Sequence, residues 1–341
     1  MLIVKVMIND RYYYTRLSDR EKKIYKTIYN GLTAFAPGIH ISTLTGLGID
    51  PVKILYAVDM DNPHLFYVDF RHILGHITAL EKVLQPSYLY TPQEAKQMQA
   101  KIQTILQKIL SKVNGSTDYE RELSLHDILV RNVLYDHVAA NNLDAYANRS
   151  NTILGVLFYK SAVCEGIAKT VKLLLNALNI KCVVVTGKAS RPDDPAPGDV
   201  SHAWNLVKIG DRPSWLDVTW DVNLSGKSCI RHDYFNLSDA QIARDHVADG
   251  VFPPCPAADM DYYTHTGTIL RRKEDLQRLL SAAVRSGQNG ISFRKEIGVG
   301  MTDQEIVQAA IQTLSVLFPS RDRIGVQFSV NQSQNIMDLG W

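Results

Sequence analysis

Apolar residues recur at two periods along this chain, and the changes of period mark its elements. Between 16 and 35, Ile24, Ile28 and Leu32 stand at helical spacing behind Ser18, and Glu21 three positions on completes a capping box. Residues 51–70 read as a short helix, a turn at Asn62-Pro63 and a strand of alternating character. Thr91, Pro92 and Glu94 open a helix over 91–113. Leu125, Ile128, Leu129, Val133 and Val138 predict another over 120–138. Ile167 is followed by Val171, Leu174, Leu175 and Leu178, which predicts a helix over 163–178 with one face buried along its length. The runs KCVVVTG (181–187), SHAWNLVKI (201–209) and SWLDVTWD (214–221) predict strands. Beyond 262 the period alternates again. A helix over 273–287 stops at a glycine, 291–296 is extended, 302–317 is helical behind Thr302, and 326–341 forms a hairpin around Asn331–Gln334.

The polar, turn-rich segment SKVNGSTDY (111–119) marks a boundary. With 341 residues the chain is long for one compact domain. Three regions are expected: a mostly helical α+β region over 1–118, a core over 119–262 and a small α/β region over 263–341. The fold class is α+β. The apolar start, MLIVKVMINDRYYY, is interrupted by Lys5 and has neither a basic leader nor a small-residue cleavage site. It reads as an N-terminal strand.

Composition narrows the partners. Hydrophobic residues are 45% and charged residues 21% of the chain, the usual balance for a chain that buries a core. A formal net charge of +2 gives no reason to expect nucleic acid or an anionic membrane. No apolar run is long enough to cross a bilayer. The four cysteines, Cys164, Cys182, Cys229 and Cys255, show no CxxC pair and no zinc-ligand spacing with histidine. They are too sparse for a disulfide framework, so reduced thiols and a cytoplasmic setting are expected. His72 and His76 could share a helix face, but no Glu or Cys completes a metal site. No metal or cofactor is expected.

The chemistry concentrates at three residues. Cys164 opens the 163–178 helix, His202 stands in the second strand and Asp217 in the next run. First-turn N–H groups and the helix dipole favour an anion, and a thiolate is the nucleophilic form of cysteine. An imidazole beside it takes the thiol proton and later protonates a leaving amine. A carboxylate on the far ring nitrogen fixes the tautomer. If Ile209 pairs with Arg212 across Gly210-Asp211, His202 and Asp217 lie diagonally on one sheet face. Gly166 is expected to leave room beside the sulfur for a substrate backbone, and backbone N–H groups there to hold an oxyanion. Glu165 points to another side of the helix and reads as a dipole-matched first-turn carboxylate. The other histidines, His246 among them, have no comparable setting. The loop SRPDDPAPGDV (190–200), just before His202, is a candidate rim or lid, or equally a plain solvated connection.

The segments AVCEGIAKTVKLLLNALNIKCVVVTGKA, SHAWNLVKI and WLDVTWD, in that order, resemble the motifs of the transglutaminase-like superfamily, related to papain-like cysteine proteases. The nearer likeness is to bacterial transglutaminase-like proteins. It extends to Tyr135-Asp136, ILGVLFYKSAVC and the YFNLSD segment, and fades beyond 265. The resemblance implies a core in which the cysteine helix packs on an antiparallel sheet carrying the other two residues. By motif, Cys164 would be nucleophile, His202 base and acid, and Asp217 orienter. Trp204 and Trp220 would support the site, or simply fill the core. Relatives often carry His-Ser where this chain has Asn151-Thr152, which bears on specificity.

A thioester on Cys164 could pass to water, as in a protease or amidase acting on a peptide or isopeptide bond, or to an amine, as in a cross-linker. No β-sandwich pattern and no DxDxDG calcium loop accompany the motifs, and hydrolysis of a protein or peptide substrate is the first reading. Amine transfer is the second. A peptide-binding scaffold with an unused triad is the third.

Overall fold

The computed structural model describes residues 11–42, 48–77, 81–141, 149–190, 200–226, 229–321 and 323–341. The expected N-terminal strand therefore lies largely outside the described residues, as does nearly all of the 190–200 loop. The fold is α+β. The chain divides into two compact units. One comprises 1–128, 132–185 and 203–210; the other comprises 129–131, 186–202 and 211–341.

The first unit begins with helices α1 (Tyr12–Thr15) and α2 (Asp19–Thr33). Ser18 and Glu21 form the expected reciprocal cap on α2. Helix α3 (Pro51–Asp61) follows, and the Asp61 carboxylate at its end accepts the backbone N–H groups of Tyr13 and Tyr14, at 3.1 and 2.9 Å. Strands β1 (Ile39–Ser42), β2 (Leu74–Ile77) and β3 (Glu81–Gln85) form an antiparallel sheet in the order β1-β3-β2. The strand expected after Asn62-Pro63 is absent among the described residues. Val68 makes one isolated bridge to Tyr88, and the chain turns through a short 3-10 helix at Phe70–His72.

Helix α4 (Pro92–Leu110) carries the Thr91–Glu94 capping box read from sequence. Helix α5 (Asp118–Asn132) is shorter than expected. The chain leaves it for strand β4 (Leu134–Tyr135), which pairs in parallel with β5 (Ser161–Ala162), and then forms α6 (His137–Asn141). Val133 and Val138 thus do not share its apolar face, because backbone pairing at Leu134 outcompetes continued helix. Val138 is 73% exposed.

Helix α7 (Cys164–Ala177) is the cysteine helix. Ile167, Val171, Leu174 and Leu175 are buried as expected, while Leu178 caps the helix and is only partly buried; every residue from Gly166 to Asn176 is buried as well. The polar face is enclosed because its charges find partners. Lys169 donates to Asp59 and Glu165, each at 2.6 Å, and Lys172 donates to the Cys182 carbonyl at 2.8 Å. Strands β6 (Lys181–Ala189) and β7 (Val200–Ile209) follow. The Asn205 amide ties them to the helix by donating to the carbonyls of Ala168 and Val183. Met60, Ala168, Val184 and Ala203 form a small core there, against which Cys164, Tyr13 and Tyr56 pack.

Strands β6 and β7 join β8 (Arg212–Leu216) and β9 (His246–Ala248) in one sheet, in the order β8-β7-β6-β9. In the second unit the end of β6 pairs antiparallel with β9, Ala189 opposite His246. The WLDVTWD segment changes character midway. Strand ends at Leu216, and Val218–Leu224 is helix α8. Helices α9 (Asp239–Ile242) and α10 (Tyr262–Thr266) follow. The C-terminal sheet has the order β10-β11-β13-β12, from Ile269–Leu270, Gly290–Lys295, Ile336–Gly340 and Gln327–Asn331. Helices α11 (Lys273–Arg285) and α12 (Asp303–Leu317) share its core through Leu276, Leu280, Ile306 and Leu314. The expected terminal hairpin is present, with Phe328 opposite Leu339. No helix among the described residues is long and apolar enough to cross a membrane.

Candidate active site

Cys164 is the first residue of α7 and is partly exposed. Val163 caps the helix in an extended conformation, with no side-chain hydrogen bond to the first turn. The first N–H groups of any α-helix lack intrahelical acceptors, so the sulfur stands where backbone donors converge.

The role expected of Gly166 is corrected. A Cβ there would lie 2.2 Å from the Ser150 carbonyl oxygen and 2.9 Å from that of Thr152. The missing side chain admits the 150–152 backbone, not a substrate. Backbone cannot swing aside as a side-chain tip can, so Gly166→Ala is expected to destabilise the protein by about 1–3 kcal/mol. A urea midpoint that does not move would show that the 150–152 segment yields freely.

Glu165 is engaged with charge rather than with Cys164. One oxygen accepts from Lys169 at 2.6 Å, and Arg71 approaches the other at 4.0 Å. Lys169 is the hub. Burial alone would lower its pKa, but the charges of Asp59 and Glu165 hold it above the ordinary lysine value. Burial pushes Asp59 up to about 6 against the pull of Lys169. A cavity of about 40 Å³ opens here, with Asp59, Arg71, Asn151, Thr152, Glu165 and Lys169 in its wall. The Asn151-Thr152 pair noted in the sequence therefore shares this cavity with the residue that follows the cysteine.

In the second unit, His202 and Asp217 meet directly. Nε2 of His202 donates to Oδ2 of Asp217 at 2.6 Å, and both side chains are almost fully buried. The way they meet differs from the expected strand-to-strand diagonal. Asp217 is the N-cap of α8, and its Oδ1 accepts the backbone N–H groups of Thr219 and Trp220 at 2.8 and 3.3 Å. Capping fixes this carboxylate more firmly than a strand position would, because both oxygens are held. Burial would raise the Asp217 pKa. The charge and hydrogen bond of His202, with the hydrogen bond of a second histidine, outweigh burial and hold it well below the usual carboxylate range.

The second histidine is His246, which sequence reading set aside. Its Nε2 lies 3.1 Å from Oδ2 of Asp217, and its Nδ1 lies 2.7 Å from Oδ1 of Asp245. Nothing in the spacing of RDHVADG announces this. The only local signal is an acid directly before the histidine. Trp220 stacks on the His202 ring, with centroids 4.2 Å apart and planes 15° from parallel. Trp204 is buried in the first unit.

His202, Asp217 and His246 bring three potential metal-ligand atoms within 4.8 Å of one another. Those atoms already satisfy each other. A cation among them would have to replace both hydrogen bonds to Oδ2, and the donor set fits a carboxylate-clamped imidazole better than a metal centre.

Residues 103–220 match the family model of the transglutaminase-like superfamily, and Cys164, His202, Asp217 and Trp220 all lie in the matched stretch. That superfamily includes cysteine proteases and acyltransferases. Among curated proteins, the chain is 23% identical over 173 residues to the mouse (Mus musculus) kyphoscoliosis peptidase, covering 47% of this chain and 26% of that protein. The matched stretch is thus about a quarter of that relative's length. Among solved structures, a TGase is 17% identical with a TM-score of 0.32, covering 46% of this chain and 45% of the other. A proposed cysteine protease from Cytophaga hutchinsonii is 17% identical with a TM-score of 0.26, covering 43% and 61%.

Proposed function

We propose that this protein is a thiol enzyme that hydrolyses peptide or isopeptide bonds through Cys164, His202 and Asp217. The observation that supports it most is the buried His202–Asp217 pair at 2.6 Å, with Asp217 also held by the first turn of α8. A carboxylate that accepts from Nε2 keeps the proton on that nitrogen, so proton transfer falls to Nδ1.

The Cys164 thiolate attacks the carbonyl carbon of the amide, and first-turn N–H groups of α7 hold the oxyanion. The intermediate collapses by breaking the C–N bond, and the amine leaves with the proton from Nδ1 of His202. A thioester on Cys164 remains. Water then attacks the thioester and gives its proton to Nδ1. A carboxylic acid is released and the thiolate returns. Asp217 stabilises the imidazolium at each transfer and does not itself become protonated. An amine attacking in place of water would give a new amide, which is the cross-linking outcome.

The test is to incubate a peptide library with the protein and a labelled primary amine and to read the products by mass spectrometry. Fragment loss without label is expected, and Cys164→Ala should abolish it. Label gained by intact peptides would make the enzyme a transferase. No Cys164-dependent change of either kind would sink the catalytic reading.

A further inference from the structure

His246 is a buried histidine between two carboxylates. Its side chain is 0% exposed and those of Asp217 and Asp245 are 1% exposed, so neither acid is neutralised by water. Asp217 is already a carboxylate by its partners: it accepts from two backbone N–H groups and from His202. Asp245, besides its bond to His246, accepts the Tyr234 hydroxyl at 2.7 Å and the Gln334 amide at 3.2 Å. Carboxylates only accept, so a histidine bonded to one at each ring nitrogen must carry a proton on both. Two buried negative charges side by side also require buried positive charge. The rings of His202, Tyr234 and Trp220 lie close by, with centroids 5.6, 5.5 and 6.4 Å from that of His246.

We propose that His246 donates from both ring nitrogens and is a positioning residue: it shares Oδ2 of Asp217 with His202 and so makes His202 release its proton at lower pH than a private carboxylate would allow. The consequence for catalysis rests on the function proposed above. A His202 clamped by an unshared, fully charged Asp217 would hold its proton more firmly and hand it less readily to a leaving amine. The second cation draws on the same carboxylate and repels a proton on His202. Asp245 in turn keeps His246 charged, so Asp245 and Tyr234 act on His202 without touching it.

The test is an NMR titration of ring-labelled histidine, with the His202 signals assigned by their loss in His202→Gln. In the wild-type protein at pH 7 both ring nitrogens of His246 are expected to be protonated. A neutral tautomer there overturns the proposal without any variant. In His246→Gln, which keeps a donor to Asp217 and removes the charge, the His202 midpoint is expected to rise by about 1 pH unit. Asp245→Asn leaves the ring in place but removes the need for its second proton, and the midpoint should move the same way. This second variant decides the matter where His246→Gln fails to fold. A His202 midpoint unmoved in a folded variant overturns the proposal, because a residue that only fills space would leave it there. The titration does not read Cys164. Fast Cys164 alkylation with an unmoved midpoint sinks the role of His246 alone. A shifted midpoint with slow alkylation sinks the thiol-enzyme reading alone.

Discussion

At pH 7, iodoacetamide should label Cys164 at least about 100-fold faster than Cys229 or Cys255. The expectation follows from the environments of the slow thiols as much as from the fast one. Burial pushes the Cys229 thiol up to about 11, with the Ser292 hydroxyl pulling the other way. Burial and then the Asp239 carboxylate push Cys255 up to about 12. At neutral pH such thiols are ionised in roughly one molecule in ten thousand or fewer. Cys182 is fully buried within β6. Cys164 is partly exposed at a helix start and is the nucleophile of the proposed function. Site-resolved mass spectrometry of alkylated peptides over a pH series reads all four at once. Equal slow rates, or a Cys164 rate that rises only where an ordinary thiol ionises, would mean that nothing activates this sulfur.

How far the sequence reaches differs between the cysteine helix and the His202–Asp217 pair. The cysteine helix was legible because one residue's spacing speaks for all: Ile167, Val171, Leu174 and Leu175 lie at 0–2% exposure. What periodicity could not show is that Lys169 and Lys172 are buried as well. Their charges are absorbed by Asp59, a residue 110 positions away, and by a strand carbonyl. Gly166 was misread for a related reason. A missing Cβ announces that something comes close, but not what, and here it is the Ser150 carbonyl.

On the other side, the pairing of His202 with Asp217 was legible, yet its geometry was not. VTW is β-branched and aromatic and reads as strand, but Asp217 caps its own following residues and starts a helix. Local capping outweighs strand propensity over so short a run. His246 escaped because no periodic or motif signal carries it. The β6–β9 pairing sets His246 opposite Ala189, far in sequence from Asp217. Contacts of that kind are set by topology, and single-sequence patterns hold no information about them.

Asp217→Asn should cost the most of any single substitution outside Cys164. The carboxylate accepts four hydrogen bonds, two from backbone and two from imidazoles, and its side chain is 1% exposed. An amide in its place can keep the backbone pair only by turning its NH2 toward two ring N–H groups. His202 and His246 then lose their common acceptor while both stay buried. Breaking a buried charge pair from one side costs about 3–5 kcal/mol, and that is the expected loss at pH 7. Turnover should fall about 10³- to 10⁴-fold, since His202 loses the group that fixes its tautomer. The stability loss carries a sign in pH. Asp217 has a folded-state pKa well below its unfolded value near 3.9, so its contribution is complete above about pH 4. It is withdrawn as pH falls below that toward the depressed folded value, where the unfolded chain takes up a proton the folded one refuses. The gap between wild type and Asp217→Asn should therefore be widest at neutral pH and narrow between pH 4 and pH 2.5. Urea denaturation of both proteins at pH 7, 5, 4 and 3 reads the gap directly. A gap that stays constant across this series, or never exceeds about 1 kcal/mol, would mean that the His202–Asp217 pair carries little charge and cannot support the proposed proton transfers.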